Sequence, residues 1–313
     1  MKGKARRSFR RYGWWLLLAA VFFLPPGPAQ AVNYTGWRLD GEAAALLPRN
    51  FRSCRDAFAA ESDASRDGLD ALDISGSAQP AAAALPLLYA RLREEAGEDA
   101  PIYLVDLRQE SHGFVNDGVP VSWYEPGNRA NLGCDAAMVR ERETAQLAAL
   151  VGTVFTAVPL GNTDTKILTD YSAEVFRAVT EETAAQAAGF RYARFSAADQ
   201  RFPDAETVDA FLRFYQTLPE GAWLHFHCHA GHGRTTTFMV FCDILRNPDV
   251  AFADIVERQY AMGGTNLLAM SGDEEKNDRA LKLYLFYEYV AEQRAAGFAV
   301  PWSVWLAGRD EAA

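Results

Sequence analysis

The chain has 313 residues, of which 49% are hydrophobic and 23% charged, ordinary values for a globular protein. This excludes a disordered, collagen-like or coiled-coil chain, and leaves length for a sizeable core in about two domains, or one domain with an insertion. A formal net charge of -10 excludes wholesale nucleic-acid binding, and four cysteines in so long a chain do not make a disulfide scaffold.

Residues 1–31 differ from the rest. Lys2, Lys4, Arg6, Arg7, Arg10 and Arg11 precede an apolar run over 14–24. That run is too short to span a bilayer, which takes about 20 residues. Pro25 and Pro26 stop it, and Ala29-Gln30-Ala31 offers the small residues a signal peptidase reads. The layout predicts a secretory signal cleaved after Ala31, and a periplasmic or secreted mature chain without a stable membrane anchor. An uncleaved N-terminal anchor is the competing reading. Arg6-Arg7-Ser8-Phe9 also resembles a twin-arginine signal, ranked below ordinary secretion because basic N-termini contain Arg-Arg by chance. Cleavage removes those six basic residues and leaves 25 basic against 41 acidic, a net charge of -16. An anionic substrate must then be held by a local basic pocket, because the global field repels it.

Residues 32–60 carry no clear periodicity. Residues 59–84, rich in Ala, Ser, Asp and Gly, read as loop with short ordered pieces. The pattern predicts a helix over 85–95 and a buried strand over 102–107. Asn116-Asp117-Gly118 is a turn signal before a strand over 119–124, and 136–151 has helical spacing. Residues 106–165 therefore read as a small, partly β insertion between an N-terminal part (32–105) and a core (166–313) of the main domain. Beyond 170 the signals sharpen. A helix over 180–188 ends at Gly189, and a short strand covers 192–195. Asp204 caps a helix with Val208, Phe211, Leu212 and Tyr215 on one face. A strand over 223–227 precedes a helix over 235–245 with Phe238, Phe241, Cys242 and Leu245 on one face. Alternating strand and helix predicts an α/β domain with a central parallel sheet and helices on both sides.

Between that last strand and helix lies Cys228-His229-Ala230-Gly231-His232-Gly233-Arg234-Thr235. A glycine-bearing turn that opens a helix aims successive backbone N–H groups at one spot, and the helix dipole adds positive charge there. The planar fork of Arg234 fits two phosphate oxygens. A thiolate at Cys228, on the floor of this anion hole, is stabilised. The product is a phosphate cradle with a nucleophile beneath the phosphorus. Cys-x5-Arg alone is a weak signal. Two fixed glycines, the preceding His227, the following Thr235 and the strand-to-helix setting make it strong.

The segment from His227 to Thr235 resembles the active-site loop of cysteine-dependent protein tyrosine phosphatases. The longer stretch over 224–236, Leu-His-Phe-His-Cys-His-Ala-Gly-His-Gly-Arg-Thr-Thr, is more specifically similar to bacterial protein-tyrosine-phosphatase-like phytases. So are Asp106-Leu107-Arg108-Gln109-Glu110-Ser111-His112-Gly113-Phe114, Val121-Ser122-Trp123-Tyr124, Ala198-Asp199, Phe202-Pro203, the helix over 208–218, and Phe286-Tyr287-Glu288-Tyr289-Val290. The resemblance covers most of 100–292 and is weaker over 32–100. It implies a three-layer phosphatase domain acting on inositol polyphosphates, with no cofactor and no metal. Cys228 attacks phosphorus, and Asp199, 29 residues earlier, protonates the leaving oxygen and then assists water. Arg234 and the amides over 229–234 (His229, Ala230, Gly231, His232, Gly233, Arg234) stabilise the transition state. Thr235 hydrogen-bonds the sulfur, and His227 positions the loop. Gln200 departs from the pattern, since several members carry His after the acid.

Other residues have two readings. His225, His227, His229 and His232 with Cys228 suggest a metal site, but one strand pair and one loop pair do not converge readily on a tetrahedral ion. His229 and His232 can instead line the pocket rim. Lys276, Arg279 and Lys282 recur every third residue, as a solvated helix face does. The resemblance places Lys276 and Arg279 near the substrate phosphates. Arg108 and Arg194 are weaker substrate candidates that would equally well pair with carboxylates. Met262-Gly263-Gly264-Thr265 reads as a loop over the pocket or a plain turn. Cys242 reads as a buried thiol, and Cys54 and Cys134 are the pair open to a disulfide in an oxidising compartment. The rival functions are a secreted phosphotyrosine-protein phosphatase, a non-catalytic inositol-phosphate binding module and a histidine metal site. Intact Cys228, Arg234 and Asp199 argue against the binding module.

Overall fold

The computed structural model describes residues 34–159, 169–269 and 272–310. The signal predicted over 1–31, and positions 160–165 of the predicted insertion, lie outside the described residues. In chain order the elements are β1 (Gly36–Leu39), β2 (Arg52–Ser53), β3 (Ile74–Ala78), α1 (Leu85–Ala96), β4 (Ile102–Arg108), β5 (His112–Val115), β6 (Val119–Tyr124), α2 (Ala136–Leu150), β7 (Val154–Ala157), β8 (Tyr171–Glu174), β9 (Ala178–Thr180), α3 (Glu181–Ala187), β10 (Arg191–Ala197), α4 (Ala205–Gln216), β11 (Trp223–Cys228), α5 (Gly233–Arg246), α6 (Phe252–Ala261), α7 (Glu274–Gln293) and α8 (Trp302–Asp310). Among the described residues no helix is long and apolar enough to cross a membrane.

The central sheet has the order β10-β4-β11-β3-β2, parallel except for β2. Strand β11 lies in its middle, paired on both edges and buried on both faces, hence its continuous burial from Trp223 to Cys228. One face carries Phe226, which meets Phe211 of α4 and Phe238 of α5. Phe195 of β10 joins them against Phe211 and Phe214. Each such buried ring contributes about 1.5–3 kcal/mol. The opposite face carries His225 and His227, and α3 reaches it through Glu181. Helices thus cover both faces, as the strand-helix alternation implied.

Local signals set the helix ends as expected. The Asp204 carboxylate accepts from Thr207 N at 2.7 Å and caps α4, and Thr180 caps α3. Strand β3 lies where loop was expected. Its sequence Ile-Ser-Gly-Ser-Ala is small because α5 presses on it. A Cβ at Gly76 would stand 2.6 Å from Thr235 Cγ2 and 2.7 Å from Met239 Sδ.

A second, antiparallel sheet has the order β1-β6-β5-β9 and its own core around Trp37, Leu39, Val115, Val121, Leu147 and Phe155. Its strands do not follow the 106–165 boundary. Strand β1 comes from before the central sheet and β9 from after 165, while Asp106 and Arg108 belong to β4 of the central sheet. The hairpin turn is a local signal, but the strands that complete its edges are distant in sequence.

Candidate active site

Cys228 ends β11, and Arg234 stands in the first turn of α5. The loop between them is held by its carbonyls. Gln79 N donates to His229 O at 3.3 Å, Asn50 Nδ2 to Ala230 O at 2.8 Å, and Arg52 Nη1 to Gly231 O at 2.8 Å. A planar trans peptide points its N–H opposite to its C=O. Three consecutive carbonyls drawn outward therefore turn the following amides into the curl of the loop. Gly231 makes this possible, with φ 76 and a position where a Cβ would fall 2.4 Å from Ala78 N.

The charged groups converge on Arg234. Its fork meets Glu110 at 2.9 and 3.2 Å, and its Nη2 lies 3.2 Å from Asp199 Oδ1. Burial alone would lower the pKa of Arg234, but Glu110, Asp199 and Cys228 together push it well above the ordinary guanidinium range. Burial opposes charge on Glu110, yet Arg234 and Arg108 hold its carboxyl well below the usual range. Arg234 Nε is buried without a hydrogen-bond partner, leaving a donor for an anion. Thr235 Oγ1 donates to Cys228 Sγ at 3.3 Å. Asp199 sits just past the end of β10, where Asn128 Nδ2 donates to its Oδ2 at 2.9 Å. Beneath the loop, burial draws Arg52 down to about 10, with Cys228 opposing the shift, so Arg52 remains cationic at neutral pH.

Arg279 of α7 is buried against the loop, since a Cβ at Gly233 would stand 2.8 Å from its Nη1. Its pKa is lowered by burial and supported by Asp199 and Asp273. Lys276 lies one turn earlier, about half exposed, 3.6 Å from Asp273. Lys282 pairs with Asp278 at 3.0 Å. The cavity over Arg234 and Asp199 is walled by Arg38, Glu110, Trp123, Tyr124, Asn128 and His229, among others.

The four clustered histidines go to different partners. His225 bonds Ser75 and Ser77 at 2.8 and 2.9 Å and stacks on Phe51. His227 Nε2 lies 3.0 Å from Glu181, His229 Nδ1 lies 3.4 Å from Asp40, and His232 meets Asn50 at 3.2 Å. Burial, then Arg38, holds His229 well below the ordinary imidazole range, so its ring is neutral. Asp106, His112 and Glu181 do come within metal-ligand spacing of one another, but Arg194 stands 3.0 Å from Asp106 and supplies the balancing charge.

Two substrate candidates are corrected. Arg194 is buried in that network, paired with Asp106 at 3.0 Å and Glu143 at 2.7 Å. Arg108 is buried between Asp40 at 2.7 Å and Glu110 at 2.8 Å. Neither reaches the cavity wall. Each satisfies carboxylates that would otherwise be buried unpaired. All four cysteines are free, so Cys54 and Cys134 are not bridged, and burial raises Cys242 well above the usual thiol range. The turn at Gly264 and Thr265 packs on Thr236, to which Thr265 N donates at 3.0 Å. Sequence reasoning missed roles for Glu110, Arg52, Asn50, Asn128 and Arg38. Glu110 lies inside a stretch already noted for its resemblance, and its charge next to a buried arginine was the available signal.

A family model for protein-tyrosine-phosphatase-like phytases, described by inositol hexakisphosphate, matches residues 105–246. The PTP-like myo-inositol phosphatase of Mitsuokella multacida, in complex with myo-inositol-(1,3,4,5)-tetrakisphosphate, is 37% identical with a TM-score of 0.80, covering 88% of this chain and 49% of its own. A PTP-like phytase from Bdellovibrio bacteriovorus is 31% identical with a TM-score of 0.68, covering 88% of this chain and 96% of its own. Effector protein hopD2 of Pseudomonas syringae pv. tomato is 28% identical over 223 residues, which is 66% of this chain and 46% of hopD2. The chain thus spans about half the length of hopD2 and of the Mitsuokella protein. It matches the Bdellovibrio phytase over nearly that protein's whole length. The chain belongs to the protein-tyrosine-phosphatase-like phytase family.

Proposed function

We propose that the protein removes phosphates stepwise from myo-inositol hexakisphosphate and lower inositol polyphosphates through a phosphocysteine at Cys228. The observation that carries this reading is the convergence at Arg234. Its fork touches both Glu110 and the candidate acid Asp199, its Nε is a spare donor, and the loop amides curl around Cys228. Cys228 attacks phosphorus while Asp199 gives its proton to the leaving inositol oxygen. Arg234 and the amides over 229–234 hold the equatorial oxygens. The Thr235 hydroxyl steadies the sulfur when water, assisted by Asp199, releases phosphate. Arg38 and Arg279 beside the cradle favour a ligand with several phosphates, and Lys276 lies on the same helix as Arg279. The inositol tetrakisphosphate complex of the Mitsuokella relative supports the substrate class. Cleavage after Ala31 would deliver the enzyme to the periplasm or beyond.

A second reading, phosphotyrosine hydrolysis, is favoured by Trp123 and Tyr124 in the cavity wall, which suit an aromatic ester. One experiment separates the two. Phosphate release is measured from phytate and from a phosphotyrosine peptide, in EDTA, for the wild type and Cys228→Ser. Phytate turnover that survives EDTA and vanishes in the variant supports the proposal. Turnover of the peptide alone removes the substrate assignment, and activity that is metal-dependent or survives the substitution removes the mechanism.

A further inference from the structure

Asp199 is gripped from two sides. Arg234 Nη2 lies 3.2 Å from Oδ1, and Asn128 Nδ2 donates to Oδ2 at 2.9 Å. Asn128 belongs to the turn between β6 and α2 and has φ 54, a left-handed backbone that asparagine accepts more readily than most residues. The turn is itself anchored. Asn131 donates to Ser111 Oγ at 2.9 Å and to Gln109 O at 3.1 Å, and Cys134 N donates back to Asn131 O at 3.0 Å. Asn128, Asp199, Arg234 and Glu110 line one cavity. On its far side the acid's loop is tied by Arg201 to Glu275 of α7 at 2.5 Å.

We infer that Asn128 is a positioning residue that decides which oxygen of Asp199 carries the catalytic proton; this rests on the acid role proposed above. An amide N–H requires an acceptor lone pair, so Oδ2 stays the accepting oxygen, and Oδ1 is the oxygen that carries the proton once Arg234 Nη2 has turned from it to the substrate. When phosphate oxygens take the spare Nε and draw Nη2 of Arg234 from Asp199, Oδ1 is freed towards the leaving group. The Asn128 bond then keeps the carboxyl from rotating. In the first step the Sγ–P bond forms and the P–O ester bond breaks. The departing electron pair takes the proton from Oδ1, leaving a carboxylate and an inositol hydroxyl. In the second step Oδ1 accepts a proton from the water whose oxygen bonds phosphorus, and the S–P pair returns to sulfur. Asn128 exchanges no proton and touches no reacting atom. It fixes direction, and direction governs how much a general acid contributes.

The test uses two variants and two esters. Asn128→Gly keeps the left-handed backbone and deletes the donor. Asn128→Asp keeps the side-chain size and replaces the donor with an oxygen. Phytate leaves as an alkoxide that needs the proton, whereas p-nitrophenyl phosphate releases a phenolate that does not. Both variants are expected to lose about 10-fold in kcat on phytate, with KM within about twofold and little change on the nitrophenyl ester. Asp199→Asn, run beside them, should show the same split at about 100-fold. Equal losses on both esters, or a change in KM alone, overturns the role of Asn128 if Asp199→Asn keeps its split. Loss of the split in Asp199→Asn overturns the acid assignment itself.

Discussion

At the scale of single residues, the site depends on groups that are expensive to hold alone. Glu110 meets Arg234 with both oxygens and Arg108 with one, so two buried cations and one partly buried carboxylate share one geometry. Hydrogen bonds to charged groups contribute about 1.5–3 kcal/mol each. Glu110→Gln keeps the shape, removes the charge and releases the guanidinium fork. Its kcat/KM on phytate is expected to fall about 10- to 100-fold while the circular dichroism spectrum stays native. An unchanged kcat/KM would mean that Arg234 is held without Glu110. Gly231 is stricter, because a Cβ there meets the backbone of Ser77 and Ala78 and its φ is positive. Gly231→Ala should abolish turnover and lower the urea midpoint, with a stability loss on the order of 1–3 kcal/mol from the strained backbone alone.

At the scale of elements, α7 supplies the outermost part of the site. Arg279 is buried against Gly233, whereas Lys276 and Lys282 are paired with Asp273 and Asp278 on the helix surface. Arg279→Ala should raise KM for phytate more than it lowers kcat, and Lys282→Ala should change neither, as measured by initial rates. Equal effects of the two substitutions would place the substrate along the helix rather than at its inner face. The elements around the loop were legible in the sequence because each had a local cause. Asp204 capped α4, Gly189 followed α3, and Phe238, Phe241 and Cys242 kept helical spacing in α5. Strand β3 was not legible, because Ser75, Gly76 and Ser77 are chosen for closeness to α5 and to His225, and a sequence pattern weighs size and hydrophobicity instead. Arg52 was hidden for a different reason: it reaches Gly231 across 179 positions, and no local pattern reports such a contact. The nucleophile and its arginine were legible because one loop carries both. Asn50 and Glu110 come from two other segments and meet that loop only after folding, as Asn128 meets Asp199.

At the scale of the molecule, the buried charges set a pH window for stability. Burial works against charge on His112, but Asp106 and Glu143 outweigh it and raise its pKa to about 9. A raised histidine contributes stability that is complete below its unfolded value of about 6.5 and is lost as pH climbs through the folded value. Asp40, Glu110 and Glu181 are held low by facing cations despite burial, so their contribution is present above about pH 4 and fades below it. The urea midpoint should therefore peak near about pH 6.5, fall towards pH 9, and fall also below about pH 6.5, where unfolding lets the buried neutral His225 and His229 take up protons. A midpoint that stays level from pH 6 to 9 would mean that His112 is neutral in the fold. The central position of β11 has a consequence of its own. Its amides are hydrogen-bonded to β3 and β4 and buried on both faces, so they trade with deuterium only when the whole domain opens. The strand that ends in Cys228 is thus a clock for global stability. A tight-binding inositol polyphosphate that is not turned over will slow the exchange of Phe226 and His227 by a factor of one plus the ratio of its free concentration to its Kd, even though it need touch neither residue.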